Sequence, residues 1–458
     1  MEESRLTGRR SIVQVSLALL SVFWCAPAYA DIRDQCAWTG SSIQPNSNDV
    51  MMTPVVVDLN EDGIPDVVFI SFVGELDINR GEDGILRAIS GDDCRELFSV
   101  ADVGCQTCAD GVSMNLNQTA GIGFLVPGAG VAAGDIDGDG RVEIIALLED
   151  PAAEMSFRLV AFEHDGSFKW CSEAVRSPMH HLTPAALADL DGDGTPEIIA
   201  GTKVFNADGT LRWDGGGSPR EGRTTTVADL DADGIPEIVT GRQAFRSDGS
   251  IFWERADLSD LRTYPAIADF DLDGLPEVLV VIPGLSQMLL LNGQTGATRC
   301  LASIPFVDTC FRPRGGGGPP TLADVDGDCI PEIGVAGSSL YSLFEFVPDL
   351  TGGTDCLAVR WSNPTRDCSS AQTGSAMFDL EGDGSMEILY NDELHFRIYR
   401  ASDGAQLVEI NNGSGTLIEN PTVADVDADG QAEIVICANN YALGSEQGIR
   451  ILHDPDSP

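Results

Sequence analysis

Short apolar runs recur along the chain, and each is interrupted by a cluster of acids and glycine. "PAALAD" (184–189) stands before one such cluster and "PEIIAG" (196–201) after it. Runs of this length are too short for helices and match strands. A second pattern follows each cluster. "AFEHDGSFKW" (161–170), "VFNADGTLRW" (204–213) and "AFRSDGSIFW" (244–253) place apolar residues on both sides of Asp-Gly. Asp-Gly flanked by alternating apolar residues marks a β-hairpin. Each unit therefore reads as four short antiparallel strands. The acidic loop joins the first strand to the second, and the Asp-Gly turn joins the third to the fourth.

The acidic loop has the form D-x-[DNE]-x-D-G-x-x-[DE] and occurs eight times. Its acidic or amide positions are Asp58, Asn60, Asp62 and Asp66; Asp135, Asp137, Asp139 and Glu143; Asp189, Asp191, Asp193 and Glu197; and Asp229, Asp231, Asp233 and Glu237. They continue with Asp269, Asp271, Asp273 and Glu277; Asp324, Asp326, Asp328 and Glu332; Asp379, Glu381, Asp383 and Glu387; and Asp425, Asp427, Asp429 and Glu433. Successive copies start 77, 54, 40, 40, 55, 55 and 46 residues apart. Such spacing means one supersecondary unit repeated, and four-stranded units of about 40–55 residues are propeller blades.

Oxygens at positions 1, 3, 5 and 9 of a tight loop converge on one point. Without a cation, four acids so close together repel one another. Ca²⁺ accepts six to eight oxygens in an irregular cage, whereas Mg²⁺ demands stricter geometry. Calcium, up to eight ions, is the expected cofactor. An EF-hand begins similarly, but its bidentate Glu stands at position 12. Here position 12 is Ala200 in one copy and Thr240 in another, and the flanks are strands. In the sixth copy Cys329 replaces the loop glycine, which puts a β-carbon at a left-handed position.

The ends of the chain complete the pattern. The last unit stops before a fourth strand, and "DIRDQCAWTG" (31–40) resembles a lone fourth strand, with Trp38 placed as Trp170, Trp213 and Trp253 are. The expected fold is all-β, an eight-bladed propeller closed by the N-terminal strand. Seven blades is the alternative if one copy lies outside the ring. The long first interval points to an insertion at about 103–127.

Composition narrows the setting. There are 72 Asp and Glu against 27 Lys and Arg, a formal charge of −45. Nucleic-acid binding needs a basic footprint, so it is excluded as a direct partner. Residues 1–30 read as a secretory signal peptide: Arg5, Arg9 and Arg10, an apolar stretch, then "AYA" at 28–30. Residues 31–458 then form the propeller, with no later segment long enough to span a membrane. The expected location is secreted, periplasmic or cell-surface. Twelve cysteines, eleven once Cys25 leaves with the signal peptide, suggest disulfides in an exported chain. Local pairs Cys300–Cys310 and Cys356–Cys368 are expected, one cysteine is left over, and Cys329 is the candidate free thiol. "CQTC" (105–108) offers a redox pair only on spacing.

These acidic repeats resemble the FG-GAP/VCBS repeats of integrin α-subunit propellers and of many exported bacterial proteins. The resemblance implies a calcium-stabilised propeller that serves as a binding or adhesion module for an extracellular glycan or protein. Some rhamnogalacturonan lyases also resemble this fold, so the alternative is a polysaccharide lyase or hydrolase acting on acidic polysaccharide. Function on either reading falls to the connections between blades. These carry Arg176, Arg220, Arg223, Arg255, Arg262, Arg312, Arg314 and Arg366, and also His180 and His181. Arginine presents a planar fork suited to carboxylates. A histidine there is a candidate lyase base. The sequence contains no G-x-S-x-G and no H-E-x-x-H.

Overall fold

The computed structural model describes residues 32–74, 84–115, 124–149, 156–176, 184–216, 224–259, 261–307, 315–348, 356–417, 419–440 and 446–455. The expected signal peptide, His180, His181, Arg220, Arg223, Arg312 and Arg314 lie outside them.

Eight antiparallel sheets follow one another along the chain. Blade 3 shows the plan in its simplest form: Ala185–Ala188, Glu197–Ala200, Lys203–Phe205 and Leu211–Asp214, paired in that order. The second strands are near-continuous apolar runs, buried end to end, because both faces of each sheet pack on neighbouring blades. The innermost strands form a closed circle. Val55–Val57 of blade 1 neighbours both Val131–Gly134 of blade 2 and Thr422–Ala424 of blade 8. The fold is thus an eight-bladed β-propeller. Among the described residues no helix is long and apolar enough to cross a membrane.

Blade 8 is closed as expected. Arg33–Trp38 pairs antiparallel with Gly448–His453, joining the two ends of the described chain. The register differs from the expectation in one respect. Every fourth strand carries a one-residue bulge, and in blades 2, 3, 4 and 6 the residue after it is Trp170, Trp213, Trp253 or Trp361. In blade 8 the bulge residue is Gln35, so Cys36 holds that place and Trp38 lies two residues further on. A two-residue shift keeps the side chain on the same face of a strand, which is why the apolar pattern alone misplaced it.

That post-bulge position fastens each blade to the next. The indoles of Trp170, Trp213, Trp253 and Trp361 lie against the hairpin glycines Gly209, Gly249, Gly296 and Gly404. A β-carbon at Gly209 would stand 2.5 Å from the Trp170 ring. Trp213 Nε1 donates to Ser247 O at 3.0 Å, and Trp361 Nε1 donates to Ala401 O at 2.8 Å. Blades 5 and 8 place a disulfide there instead, Cys300–Cys356 and Cys36–Cys94. This corrects the local pairs Cys300–Cys310 and Cys356–Cys368: Cys300 reaches into the next blade, because its strand position faces the neighbour and not its own connection. Cys368 is disulfide-bonded as well. The insertion contains a small hairpin, Cys105–Thr107 with Ser113–Asn115, and Cys108 pairs with Cys171 of blade 2. The "CQTC" segment is therefore not an internal redox pair. Exposed Cys329 and buried Cys437 carry free thiols.

Candidate cation sites and the connection face

Antiparallel order puts all the acidic loops and Asp-Gly hairpins at one end of the blades. The other end carries the links from each fourth strand to the next first strand.

The acidic loops share one backbone design. In all eight, the N–H of position 2 donates to the acid at position 9 at 2.9–3.1 Å. The N–H of position 6 donates to the Asp at position 1 at 2.7–3.0 Å. The N–H of position 7 donates to the Asp at position 5 at 2.8–2.9 Å. Position 6 has positive φ, 89° at Gly194 and 71° at Cys329. Cys329 thus keeps the loop geometry, at a strain cost of roughly 1 kcal/mol.

The acid at position 9 is buried in every blade. In blades 2 to 6 three carboxylates of each loop bring oxygens within 4.8 Å of one another, as in Asp189, Asp191 and Glu197. Burial pushes the Glu433 carboxyl up to about 7 and that of Asp66 up to about 6, and the neighbouring loop acids add to both. Asp189 moves the other way, held down first by the N–H of Gly194 and then by those of Gly192 and Asp193. The Oδ1 atoms of Asp58, Asp66, Asp231 and Asp271 are buried with no hydrogen-bond partner. Converging hard oxygens with unmet acceptors fit a divalent cation. These acidic clusters can hold metal ions.

Sequence reasoning missed a second element of these sites. The bulge on the fourth strand turns one side chain back onto the loop of its own blade. Lys169 reaches Asp137 at 2.8 Å and Glu143 at 3.1 Å. Arg212 pairs with Asp191 at 2.8 Å and with Glu197. Arg299 pairs with Asp271 and Glu277, and Arg360 with Asp326 at 2.8 Å and Glu332 at 2.9 Å. In blade 4 the bulge residue is Phe252. Arg246 from the hairpin stacks 4.5 Å over its ring and reaches Asp231 and Glu237 at 3.5 and 3.4 Å. The signal was visible: a basic residue stands directly before Trp170, Trp213, Cys300 and Trp361.

At the opposite end the structure brings Arg262 and Arg366 to one connection, 365–374. Arg262 donates to the Gln372 side chain, which also accepts from Tyr264 Oη at 2.6 Å. Arg366 pairs with buried Glu393 at 3.2 Å. Arg255 pairs with Asp257 at 2.8 Å and donates to Gly296 O. Arg176 ends a short strand, Val175–Arg176, beside Ser156. Beneath these lies a buried polar network that the sequence did not disclose. Asp367 accepts from the backbone N–H of Ala371 and Gln372 and from the hydroxyls of Thr373 and Thr416. Asp392 accepts from Arg397 and from the N–H of Arg366. Glu419 accepts from Ser414 Oγ and from the N–H of Leu417. Burial raises the Glu419 carboxyl, with the Asp367 charge adding a smaller push.

Residues 135–200 match the model of the FG-GAP-like repeat family. The span covers blade 2's acidic loop and continues through that of blade 3, so the resemblance read from the loops holds. No curated protein matches the chain. Among solved structures, the biofilm matrix protein Bap1 of V. cholerae is similar at 20% identity and a TM-score of 0.64, over 93% of this chain and 92% of that one. The exotype rhamnogalacturonan lyase YesX is similar at 17% identity and a TM-score of 0.54, over 88% of this chain and 72% of that one. Sqt1 of Saccharomyces cerevisiae is similar at 10% identity and 0.51, over 92% and 98%. These likenesses show the fold.

Proposed function

We propose that this chain, a propeller of FG-GAP-like repeats, is an exported calcium-stabilised binding module that attaches to an extracellular glycan or protein in adhesion or surface assembly. The observation that carries the reading is the loop set itself. Eight acidic loops line one end of the ring; in blades 2 to 6 their carboxylate oxygens converge, and in blades 1, 4 and 5 buried Asp oxygens are unmet, which suits a hard cation abundant outside the cell. The disulfides Cys36–Cys94, Cys108–Cys171 and Cys300–Cys356, with Cys368 bonded as well, suit the same oxidising setting. The likeness to Bap1 supports a role in a matrix, because it extends over nearly the whole of both chains. The likeness to YesX leaves more than a quarter of that chain unmatched. Calcium would be held by positions 1, 3, 5 and 9 of each loop and would stiffen the turn between first and second strands. Ligand contacts fall to the connection end, where Arg262 and Arg366 both reach the 365–374 connection.

The test is affinity electrophoresis of the calcium-loaded protein in gels containing acidic or neutral polysaccharides. Retardation with the polysaccharide intact is the expected result for a glycan-binding module. A cleared zone around the band would replace this reading with the lyase and make His180 and His181 the first mutations. Free migration in every gel would direct the search to a protein partner.

A further inference from the structure

The eight acidic loops are not equivalent, and the difference follows the bulge residue. In blades 2, 3, 5 and 6 a Lys or Arg at the bulge pairs with the acids at positions 3 and 9. Blade 4 substitutes Arg246. Blade 8 has Gln35 at this place, and its amide donates to Asp427 Oδ2 at 2.9 Å. Blade 1 has Leu97. Among the described residues no Lys or Arg forms an ion pair with a motif carboxylate of blade 8 or blade 1. Arg141 of blade 2 reaches Glu61 of the blade 1 loop at 3.6 Å, outside the four ligand positions, and Arg95 pairs with Asp93 at 4.0 Å. In blade 1 the buried Asp66, 0% exposed, has Oδ1 with no partner, and Asp58 Oδ1 is likewise unmet.

Blades 8 and 1 are neighbours, and they meet at the seam. The strand that closes the ring, Arg33–Trp38, supplies Gln35 to the loop of blade 8 and is tied to blade 1 through Cys36–Cys94. A Lys or Arg already paired with a loop must yield its carboxylates to an incoming Ca²⁺, which lowers affinity there. An amide or an alkyl chain at the bulge offers no such competition.

We propose that the side chain at the bulge divides the loops into two classes, and that the loops whose bulge carries no base, those of blade 8 and its two neighbours 7 and 1, are the tight, obligatory calcium sites, so that calcium controls closure of the ring at the N-terminal strand. This rests on the cation reading above and assigns to Gln35, Lys169, Arg212, Arg299 and Arg360 the setting of calcium affinity blade by blade. Ring closure then responds to calcium, while in blades 2 to 6 one internal positive charge already stands against the four loop carboxylates.

The experiment is calorimetric titration of the chelator-stripped chain with CaCl₂, with hydrogen exchange followed in parallel. Two classes of site are expected, the tighter one small. Gln35→Arg should weaken one tight site by about tenfold or more, as expected when an arginine competes beside a carboxylate. It should also raise the melting temperature of the calcium-free form only. Arg212→Gln should do the reverse and convert a weak site to a tight one. On chelation, Arg33–Trp38 and Gly448–His453 should exchange before the strands of blades 3 and 5. A single class of sites that neither substitution changes, or uniform exchange around the ring, would overturn the proposal while leaving calcium binding intact. No calcium binding at all would overturn the cation reading on which it rests.

Discussion

The two ends of the ring solve the problem of buried charge differently. At the loop end one arrangement is repeated eight times: a buried acid at position 9, three backbone hydrogen bonds in register, and in five blades a basic side chain folded back onto the loop. At the connection end every contact is singular. Asp367, Asp392 and Glu419 are each satisfied by a different set of hydroxyls, N–H groups and arginine. Periodic charge can be met by one external ion per blade. Aperiodic charge has to be met by the protein's own groups, and that end is therefore free to diverge and to carry specificity.

The largest expected effect separates the two ends directly. Calcium at a hundredfold above its dissociation constant stabilises by about 2.7 kcal/mol per site. Several sites together exceed the stability of an ordinary domain. Chelation should therefore lower the melting temperature by more than about 15 °C, read by differential scanning calorimetry. A shift of a degree or two would mean that the loops are self-sufficient, as the connections are. Asp367→Ala comes next, at about 3 kcal/mol, because it orphans buried donors that no ion can satisfy. Its cost, measured by denaturant unfolding, should be the same with and without calcium. Calcium-dependent cost would show that the two ends are coupled.

The sequence discloses these ends unequally, and for a physical reason. The loop end is periodic, so blade number, strand order and the closing strand could be read from Asp-Gly pairs and acidic loops. The bulge was not read, because it adds one residue without breaking the apolar pattern on either side, as at Arg212 between Leu211 and Trp213. Cys300–Cys356 was missed for the same reason, since spacing along the chain says nothing about which neighbouring blade a strand faces. Around Asp367 the sequence "RDCSSAQT" (366–373) looks like an ordinary polar link. Only the fold brings Thr416, from the following connection, onto its carboxylate.

Trp213→Ala tests whether the fastening between blades belongs to the loop end. The indole lies 5.6 Å from the Phe245 ring and donates to the backbone of the next blade's hairpin. Removing it should cost about 2 kcal/mol. If the hairpins and loops act as one unit, the variant should also show earlier loss of structure on chelation, followed by tryptophan-independent far-ultraviolet circular dichroism. If calcium dependence stays unchanged, the fastening is separate from the cation sites.

The smallest effect concerns Glu419, where the connection end keeps a carboxyl that burial disfavours as an anion. Its folded pKa lies above the ordinary 4.5, so the folded state binds the proton more tightly than the unfolded state does. The stability it contributes is complete below pH 4.5 and declines as pH rises through the folded value. Glu419→Gln keeps a neutral group that can meet Ser414 and removes this decline. In calcium-saturated protein the variant should lose less stability than the parent between pH 5 and pH 8, by on the order of 1 kcal/mol, the size of a single hydrogen bond. Equal slopes would show that Glu419 is ionised throughout and that Ser414 and the Leu417 N–H suffice to hold its charge. The connection end would then tolerate an unpaired buried anion, which the loop end does not.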